Sequence, residues 1–446
     1  MGEGVNCVAE VRPRGKPRGW DVLVLLPSQL NPEELQFSQR ARRAGDTHVC
    51  DVPGYTTNPI PGSTAGSQNG GAGEPENEWG ADGHFIDRAI DLAWLGAGRT
   101  QPNPLVGAVV VKDGKVLGAG YHPAYGEDHA ETIALERAGE SARGSTLYVT
   151  LEPCAHHGNT PPCVDQITAS GVARVVVPTL DPDARVYGRG IQVLRDKGIR
   201  VDVGPRAERA LLLNLPYFKS KLGLGPAVTL KMAVTLDGKI ASRPGRRDDI
   251  TQTDSRRMAH RLRAVHRGVL VGIETLATDS PRLDCRLLDG VKSPVPVVID
   301  SSLRFPASHP WLAERDVFVV TTSDPSKEKE EALVRLGARV IRCGAKGRWV
   351  DVAAAVDALG RAGISSVLVE GGGSVFSSFA ESGVWDGMFI FVSPILFGPD
   401  GVSLADHAID REALDAVFAG ASHLGGDVVL SYINEKTRSV LLSRLS

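Results

Sequence analysis

Cysteine is scarce: six in 446 residues, of which only Cys154 and Cys163 stand close together, while Cys7, Cys50, Cys285 and Cys343 are scattered. So few in so long a chain exclude a disulfide scaffold, and the default setting is a reducing cytoplasm with one cysteine pair reserved for metal. Aromatic residues are also few, at 5%, and the formal net charge is only −3. A nucleic-acid binder shows a basic stripe, and one that reads single strands adds stacking aromatics; neither stands out. No run of about 18 apolar residues occurs, so no membrane-spanning helix is expected. The early segment WDVLVLLP is apolar but too short, and no cleavage-site pattern follows it. What remains is an ordinary folded composition, 42% apolar and 23% charged. The length suits about two to three domains of roughly 150 residues each.

Residues 1–83 read as a flexible extension of unknown role. VRPRGKPRGW is basic, and PEELQFSQRARRAG has the pattern of a short helix. The stretch 58–83 is rich in Gly, Pro, Ser and Asn and has no Lys or Arg, a composition that cannot bury a core. Glu3, Glu10 and Asp21 argue against a transit peptide. A domain boundary is expected near residue 83.

From residue 84 the pattern becomes regular. Phe85, Ala89, Leu92 and Ala93 recur at helical spacing, and Gly96 and Gly98 end the run. Two apolar runs flank KDGK, a hairpin signal. HAETIALERAG reads as a helix, STLYVTLEPC as a buried strand delivering Cys154, CVDQITASG as a helix opened by Cys163, and VARVVVPTLD as a strand. This order predicts one mixed α/β layer over 84–205. A second unit, 226–446, offers the apolar runs AVTLKMAV, GVLVGI, VPVVID, DVFVVTT, ARVIRC, SSVLVEGG and MFIFVSPIL, with helical patterns such as DSRRMAHRLRAV between them. These predict a largely parallel sheet covered by helices. No internal repeat is evident.

The chemistry concentrates in HAE (129–131) and PCAHHGNTPPC (153–163). A catalytic zinc site takes three protein ligands of this softness and keeps a fourth position open. His129, Cys154 and Cys163 supply three. Glu131 lies two residues from His129, so on a helix the two side chains diverge by about 200°. That makes Glu131 a poor fourth ligand and a better partner for the attacking water. A lone Cys or His is most often a buried structural residue; here four suitable residues fall at element ends in a consistent order. Cys163, at a helix start, is expected to form a thiolate more readily, because that end favours negative charge. His-x-Glu, then Pro-Cys, then Cys is the signature of zinc deaminases of nucleobases, in which zinc lowers the pKa of water and the glutamate shuttles its proton to the leaving ammonia.

Most deaminases of this class carry Pro-Cys-x-x-Cys. Here eight residues separate the cysteines. That spacing, with TQPNPLVGAVVV and YHPAYGEDHAE, closely resembles the bifunctional riboflavin-biosynthesis family, and the resemblance runs from about residue 84 to the C-terminus. It implies a cytidine-deaminase-like domain followed by a dihydrofolate-reductase-like domain. The implied reactions are deamination of 2,5-diamino-6-ribosylamino-4(3H)-pyrimidinone 5′-phosphate, then NADPH-dependent reduction of its ribosyl group to ribityl. It implies Zn2+ and NADPH as cofactors, a phosphorylated aminopyrimidine as the small-molecule partner, no nucleic acid, no membrane, a homo-oligomer, and a cytoplasmic setting.

Carried over residue by residue, His129, Cys154 and Cys163 are the zinc ligands and Glu131 the proton shuttle. Asn103, His122, His156 and position 159 hold the deaminase substrate; the family usually has Lys or Arg at 159, and Asn159 here predicts a weaker phosphate contact. VTLKMAVTLDGKIAS, HRLRAVHRGVLVGIETLATDSPRLDCR and VLVEGGGSVFSSFAESG resemble the reductase half. The last reads physically as strand, glycines and helix, a phosphate-binding arrangement. Ala233, Asp249, Thr275, Asp279, Ser301, Gly372, Gly373 and Ser374 would line the cofactor site. Lys231, Arg247, Arg263, Leu283, Arg286 and Glu370 would face the reductase substrate, with Arg263 and Arg286 suited to a sugar phosphate. One departure stands out: RDDIT, 247–251, replaces a tryptophan-containing stretch, so Asp249 stands where the family meets its nicotinamide cofactor. An acid there is expected to pair with Arg246 or Arg247. VYGRGIQVL resembles a dinucleotide loop only superficially and is expected to be a connection.

Three other readings compete. One keeps the deaminase and makes the second domain a non-reducing scaffold. Another is a nucleic-acid-editing deaminase, disfavoured by the charge and the few aromatics. The last is a purely structural zinc protein, which requires four protein ligands.

Overall fold

The computed structural model describes residues 80–158, 161–322 and 326–445. The expectations for residues 1–79 lie outside the described residues. The first helix, Gly80–Ala93, buries Phe85, Ile86, Ala89, Ile90 and Ala93 on one face. It lies against the first sheet, which comprises β1 (Gly107–Lys112), β2 (Lys115–Tyr121), β3 (Thr146–Val149), β4 (Arg174–Val177) and β5 (Arg200–Val203). Their order is β2-β1-β3-β4-β5. The predicted hairpin joins β1 to β2, and Asp113 and Gly114 both take positive φ, as a two-residue hairpin turn requires.

Two small residues set the height of the catalytic layer. The helix Ala130–Ala138 lies on β2, and a Cβ on Gly120 would come within 2.6 Å of Ala130 O. A side chain there would lift the helix start, and His129 with it, off the sheet. Behind Cys154, the helix Arg189–Asp196 comes so close that a Cβ on Gly190 would meet Pro153 O at 1.9 Å. That glycine lies in VYGRGIQVL, which is the predicted connection and also opens a helix.

Two short helices, Ala207–Leu213 and Leu215–Lys221, join the units. Leu211, Leu212, Leu213, Leu215 and Phe218 are buried in a core shared by both. Each such side chain contributes about 1.5–3 kcal/mol as an upper estimate. Asp386 fastens this joint: it accepts from Lys219 Nζ at 2.8 Å, Val228 N at 2.8 Å and Thr437 Oγ1 at 2.7 Å.

The second unit carries β6 (Ala227–Thr235), the short β7 (Lys239–Ala241), β8 (Gly268–Gly272), β9 (Val295–Ile299), β10 (Val317–Thr321), β11 (Ala338–Arg342), a small pair β12 (Ala345–Lys346) and β13 (Trp349–Val350), β14 (Ser366–Val369), β15 (Gly387–Ser393), the short β16 (Val402–Ser403), β17 (Ala416–Leu424) and β18 (Asp427–Asn434). Nine of these form one sheet, ordered β11-β10-β9-β8-β14-β6-β15-β18-β17. The seven apolar runs read from the sequence all fall in its parallel part. The antiparallel pair β17–β18 was not legible, because its burial is interrupted and its long strands carry small and polar residues. Among the described residues no helix is long and apolar enough to cross a membrane.

Candidate active sites

The first site forms where three element ends meet. His129 is the N-cap of the helix Ala130–Ala138, with extended φ −74° and ψ 160°. It therefore lies outside the helix, and the 200° divergence expected from Glu131 does not describe the pair; only Glu131 occupies the first turn. Cys154 follows the end of β3, and Cys163 opens the helix Cys163–Ser170. His129 Nδ1 lies 3.1 Å from Cys163 Sγ and 3.6 Å from Cys154 Sγ. All three ligand atoms fall within 4.8 Å of one another. A tetrahedral zinc with Zn–S near 2.3 Å and Zn–N near 2.1 Å needs edges of about 3.5–3.8 Å; the His129–Cys154 edge meets this and the His129–Cys163 edge is shorter, while the donor set of two sulfurs and one imidazole suits zinc with one position open.

Electrostatics refine the sequence reading. Cys154 is the stronger acid of the cysteine pair: a hydrogen bond from the Cys163 thiol pulls it down, outweighing burial, and His129 adds to the effect. Cys163 is pushed up by that same bond, by its own burial and by Glu131. The expectation placed the more readily formed thiolate at Cys163, by its helix start. The helix start does stabilise a thiolate, but its neighbour's: Cys163 N–H lies 3.4 Å from Cys154 Sγ. His129 is raised to about 9 by its hydrogen bond to Cys154, against burial. Metal binding must therefore release a proton. Glu131 is only 3% exposed. Burial pushes its carboxyl above the usual range, and His129 pulls it partly back.

His122 is 2% exposed, and burial lowers its pKa. The neutral ring fixes its own tautomer: Nδ1–H donates to Asp128 O at 3.1 Å, so Nε2 accepts from Asn103 Nδ2 at 3.2 Å. That engages one N–H of the Asn103 amide and leaves its Oδ1 as an acceptor. His156, half-buried two residues past Cys154, has a shielded Nδ1 with no hydrogen-bond partner among the described residues. Asn159 lies outside the described residues.

Sequence reasoning missed Glu152. Its buried carboxylate accepts from the backbone N–H groups of Asp181, Gly188, Gly190 and Ile191 at 3.2, 2.9, 2.9 and 3.3 Å. The superficial dinucleotide loop thus binds an anion that the chain itself supplies, two residues before the ligand Cys154. The signal was its position inside LEPC.

The second site is a cleft of about 270 Å³. Lys231, Ala233, Arg247, Asp249, Arg263, Thr275, Asp279, Leu283, Glu370 and Gly372 line it. Arg286, Ser301, Gly373 and Ser374 are not among the lining residues. Ser301 Oγ instead accepts from Val350 N at 3.1 Å. Arg286 Nη1 pairs with Asp284 Oδ1 at 2.5 Å. Arg263 does line the cleft, but its fork is spent on Glu370, at 2.7 and 2.8 Å, and on Asp284 O at 3.1 Å. The Arg263 fork is therefore not open to a sugar phosphate, whereas Arg286, outside the cleft lining, is paired through Nη1 alone. Arg256, which the sequence hid among the four arginines of the helix Thr253–Val265, also lines the cleft and, among the described residues, bonds to Thr251 O and Thr253 Oγ1.

Glu370 is pushed up by burial, but Arg263 and Lys231 overcome this and hold it at about 2. Lys231 is lowered by burial, and its Nζ lies 3.9 Å from Glu370 Oε2. The expected pairing of Asp249 is not found: Arg246 turns to Asp248 at 2.9 Å, and Arg247 Nη1 lies 3.5 Å from Asp279 O. The glycine loop opens the helix Gly373–Ser382. Thr275 Oγ1 accepts from Gly372 N at 3.1 Å, and a Cβ on Gly371 would strike Val375 at 2.6 Å. The close approach that needs glycine here is made by the chain itself, while Gly371 and Gly372 still border the cleft. A helix start beside Arg247 and Arg256 fits a ligand carrying phosphates.

Comparison with known proteins agrees with this two-site arrangement. Residues 81–179 match the model of the cytidine and deoxycytidylate deaminase zinc-binding region, and residues 226–430 match that of the RibD C-terminal domain. Riboflavin biosynthesis protein RibD of Aquifex aeolicus is 40% identical over 353 residues, spanning 79% of this chain and 98% of that protein. The Escherichia coli protein of the same name is 34% identical over 368 residues, spanning 79% and 99%. The solved structure of Acinetobacter baumannii RibD superposes with a TM-score of 0.55 at 34% identity, covering 80% of this chain and 99% of that one. A diaminohydroxyphosphoribosylaminopyrimidine deaminase/5-amino-6-(5-phosphoribosylamino)uracil reductase from Thermotoga maritima gives 0.55 at 34% identity, covering 79% and 98%. With relatives so similar along nearly their whole length, the chain belongs to the RibD family of riboflavin biosynthesis proteins.

Proposed function

We propose that the chain carries out two successive steps of riboflavin biosynthesis on one phosphorylated aminopyrimidine. Residues 84–205 deaminate the diaminopyrimidine ribosylamine phosphate, and residues 226–446 reduce the ribosyl group of the product to ribityl with NADPH. The observation that carries the first step is the convergence of His129, Cys154 and Cys163 beside the buried Glu131. Those three residues would hold zinc, which supplies the Lewis acidity that makes water nucleophilic at neutral pH. Glu131 accepts the proton of the attacking water and returns it to the exocyclic nitrogen. The C–N bond breaks, ammonia leaves, and the ring carbon keeps the oxygen as a carbonyl. Asn103 Oδ1 accepts from the substrate ring, held in place by neutral His122. His156, two residues past Cys154, would add a further substrate contact through its Nδ1, which is unpartnered among the described residues.

In the second unit, Gly372 and the helix start after it, with Arg247 and Arg256, would hold the dinucleotide, which supplies the hydride. Lys231 donates a hydrogen bond to the opened sugar, and Glu370 with Arg263 fixes the lysine's position. Membership of a family matched by both models sets aside the scaffold and editing readings. A cluster of three ligand residues among the described residues favours an open catalytic site over a purely structural one. We take the protein to act in the cytoplasm as a homo-oligomer, without nucleic-acid partners. The test is ammonia release and metal content of the whole chain against its Glu131→Gln variant. Retained zinc with ammonia release abolished supports the reading; undiminished release removes Glu131 from its role.

A further inference from the structure

Asn103 stands on a tight turn closed by its own N–H to Thr100 O at 2.8 Å and by Thr100 Oγ1 to Asn103 O at 3.2 Å. The turn is also gripped from outside the deaminase sheet, at both ends. Asn214, 4% exposed between the two joining helices, places Oδ1 2.8 Å from Leu105 N and Nδ2 2.8 Å from Leu105 O. One amide thus satisfies both backbone groups of a buried residue, as a neighbouring strand would. At the other end Gln101 Nε2 donates to Val265 O at 3.3 Å and lies 3.5 Å from Ala264 O. These are last-turn carbonyls of the helix Thr253–Val265, which lack partners within the helix. That helix also carries Arg263 of the reductase cleft. The same segment is seated closely: a Cβ on Gly98 would fall 2.4 Å from Val291 Cγ1 and 2.9 Å from Ala264 Cβ.

We propose that Asn214 and Gln101 are positioning residues of the deaminase, through which the joining helices and the reductase unit hold Asn103 in register with His122. The deaminase site is then completed by the second half of the chain, although none of the zinc ligands comes from it. This rests on the reading of Asn103 as a substrate contact.

The experiment uses the full chain. Asn214→Ser, Gln101→Ala and Asn103→Ala, and the Asn103→Ala/Asn214→Ser pair, are assayed for deamination of the diaminopyrimidine phosphate, for reduction of the deaminated product, and for zinc by metal analysis. Asn214→Ser is expected to raise the deaminase KM about tenfold, the factor one lost buried hydrogen bond carries, with kcat kept within about twofold. Gln101→Ala, at an exposed position, should raise it about threefold. Zinc and the reductase constants should stay at parental values, and Asn214→Ser should add nothing once Asn103 is alanine. If Asn214→Ser fails to fold, Gln101→Ala decides alone. A raised KM in Asn103→Ala with parental KM in the two clamp variants overturns the clamp and spares the site reading. Additive effects in the pair overturn the route through Asn103. A parental KM in Asn103→Ala overturns the site reading itself, and the clamp with it.

Discussion

At the first site two sulfurs and an imidazole nitrogen gather within 4.8 Å of one another, whereas in the second cleft the buried groups are fixed charges, with Arg263 and Lys231 turned on Glu370. The deaminase groups are hydrogen-bonded among themselves too, but they are of the kinds that a metal and a proton transfer use: two cysteines, an imidazole raised to about 9, and a carboxyl pushed up by burial. The cleft of the reductase has already matched its buried charges, with Glu370 held at about 2. The difference teaches where each half invests its polar groups. One holds them ready for a metal and a proton transfer. The other uses them to brace one wall of the cleft, which Arg247 and Arg256 also line.

The comparison can be broken hardest at the metal. Cys163→Ser should lose zinc and all deamination while reduction of the deaminated product continues, which metal analysis and NADPH oxidation measure side by side. Stoichiometric zinc in that variant would refute the ligand set. Glu131→Gln should keep zinc yet lower the deamination kcat about a thousandfold, the scale of a lost general base. In the other half, Glu370→Gln leaves Arg263 and Lys231 buried without their counter-charge. We expect a loss of about 3–5 kcal/mol in denaturant unfolding of that unit, with the zinc content of the first unit intact.

Acid should separate the halves further. His266 is fully enclosed, with Nδ1 2.7 Å from Leu262 O and Nε2 2.9 Å from Thr229 Oγ1, and burial lowers its pKa to about 4. The unfolded chain takes up this proton near pH 6.5, but the folded chain does so only near 4. Its stability contribution is therefore complete above about pH 6.5 and is lost as pH falls toward 4, by about 3 kcal/mol in all. Unfolding midpoints across that window should show the slope, and His266→Gln should make it shallower, His260, also lowered to about 4 by burial, keeping the remainder. The smallest effect expected is at the cleft rim. Asp249→Trp removes an acid beside a polyanionic ligand and should tighten NADPH binding about threefold, read by fluorescence titration. Equal or weaker binding would mean that RDDIT is arranged to use its acid.

The two halves also differed in how much of them could be read from the sequence. His129, Glu131, Cys154 and Cys163 are fixed by element ends, so local pattern and spacing placed them on one another. The seven parallel strands were equally plain, being continuous apolar runs. Roles in the second cleft depend on pairings between residues distant in the chain, such as Arg263 with Glu370, and a run of arginines does not say which one is spent. Asn214 meets Leu105 across 109 positions, and nothing in LNLPYF marks it. Glu152 was nearer to legible, since it sits within LEPC, but three of its four backbone donors come from a loop that looked like a nucleotide site.

The central claim, that one chain performs both steps at two separate sites, is tested most directly by following its products. Purified protein is given the diaminopyrimidine phosphate, freshly made by GTP cyclohydrolase II, and the products are resolved by mass spectrometry with and without NADPH. The account predicts that the exocyclic amine is replaced by oxygen without NADPH, and that the ribityl product appears only when NADPH is added. Deamination with no reduction under any NADPH concentration would contradict it and leave the second half a scaffold.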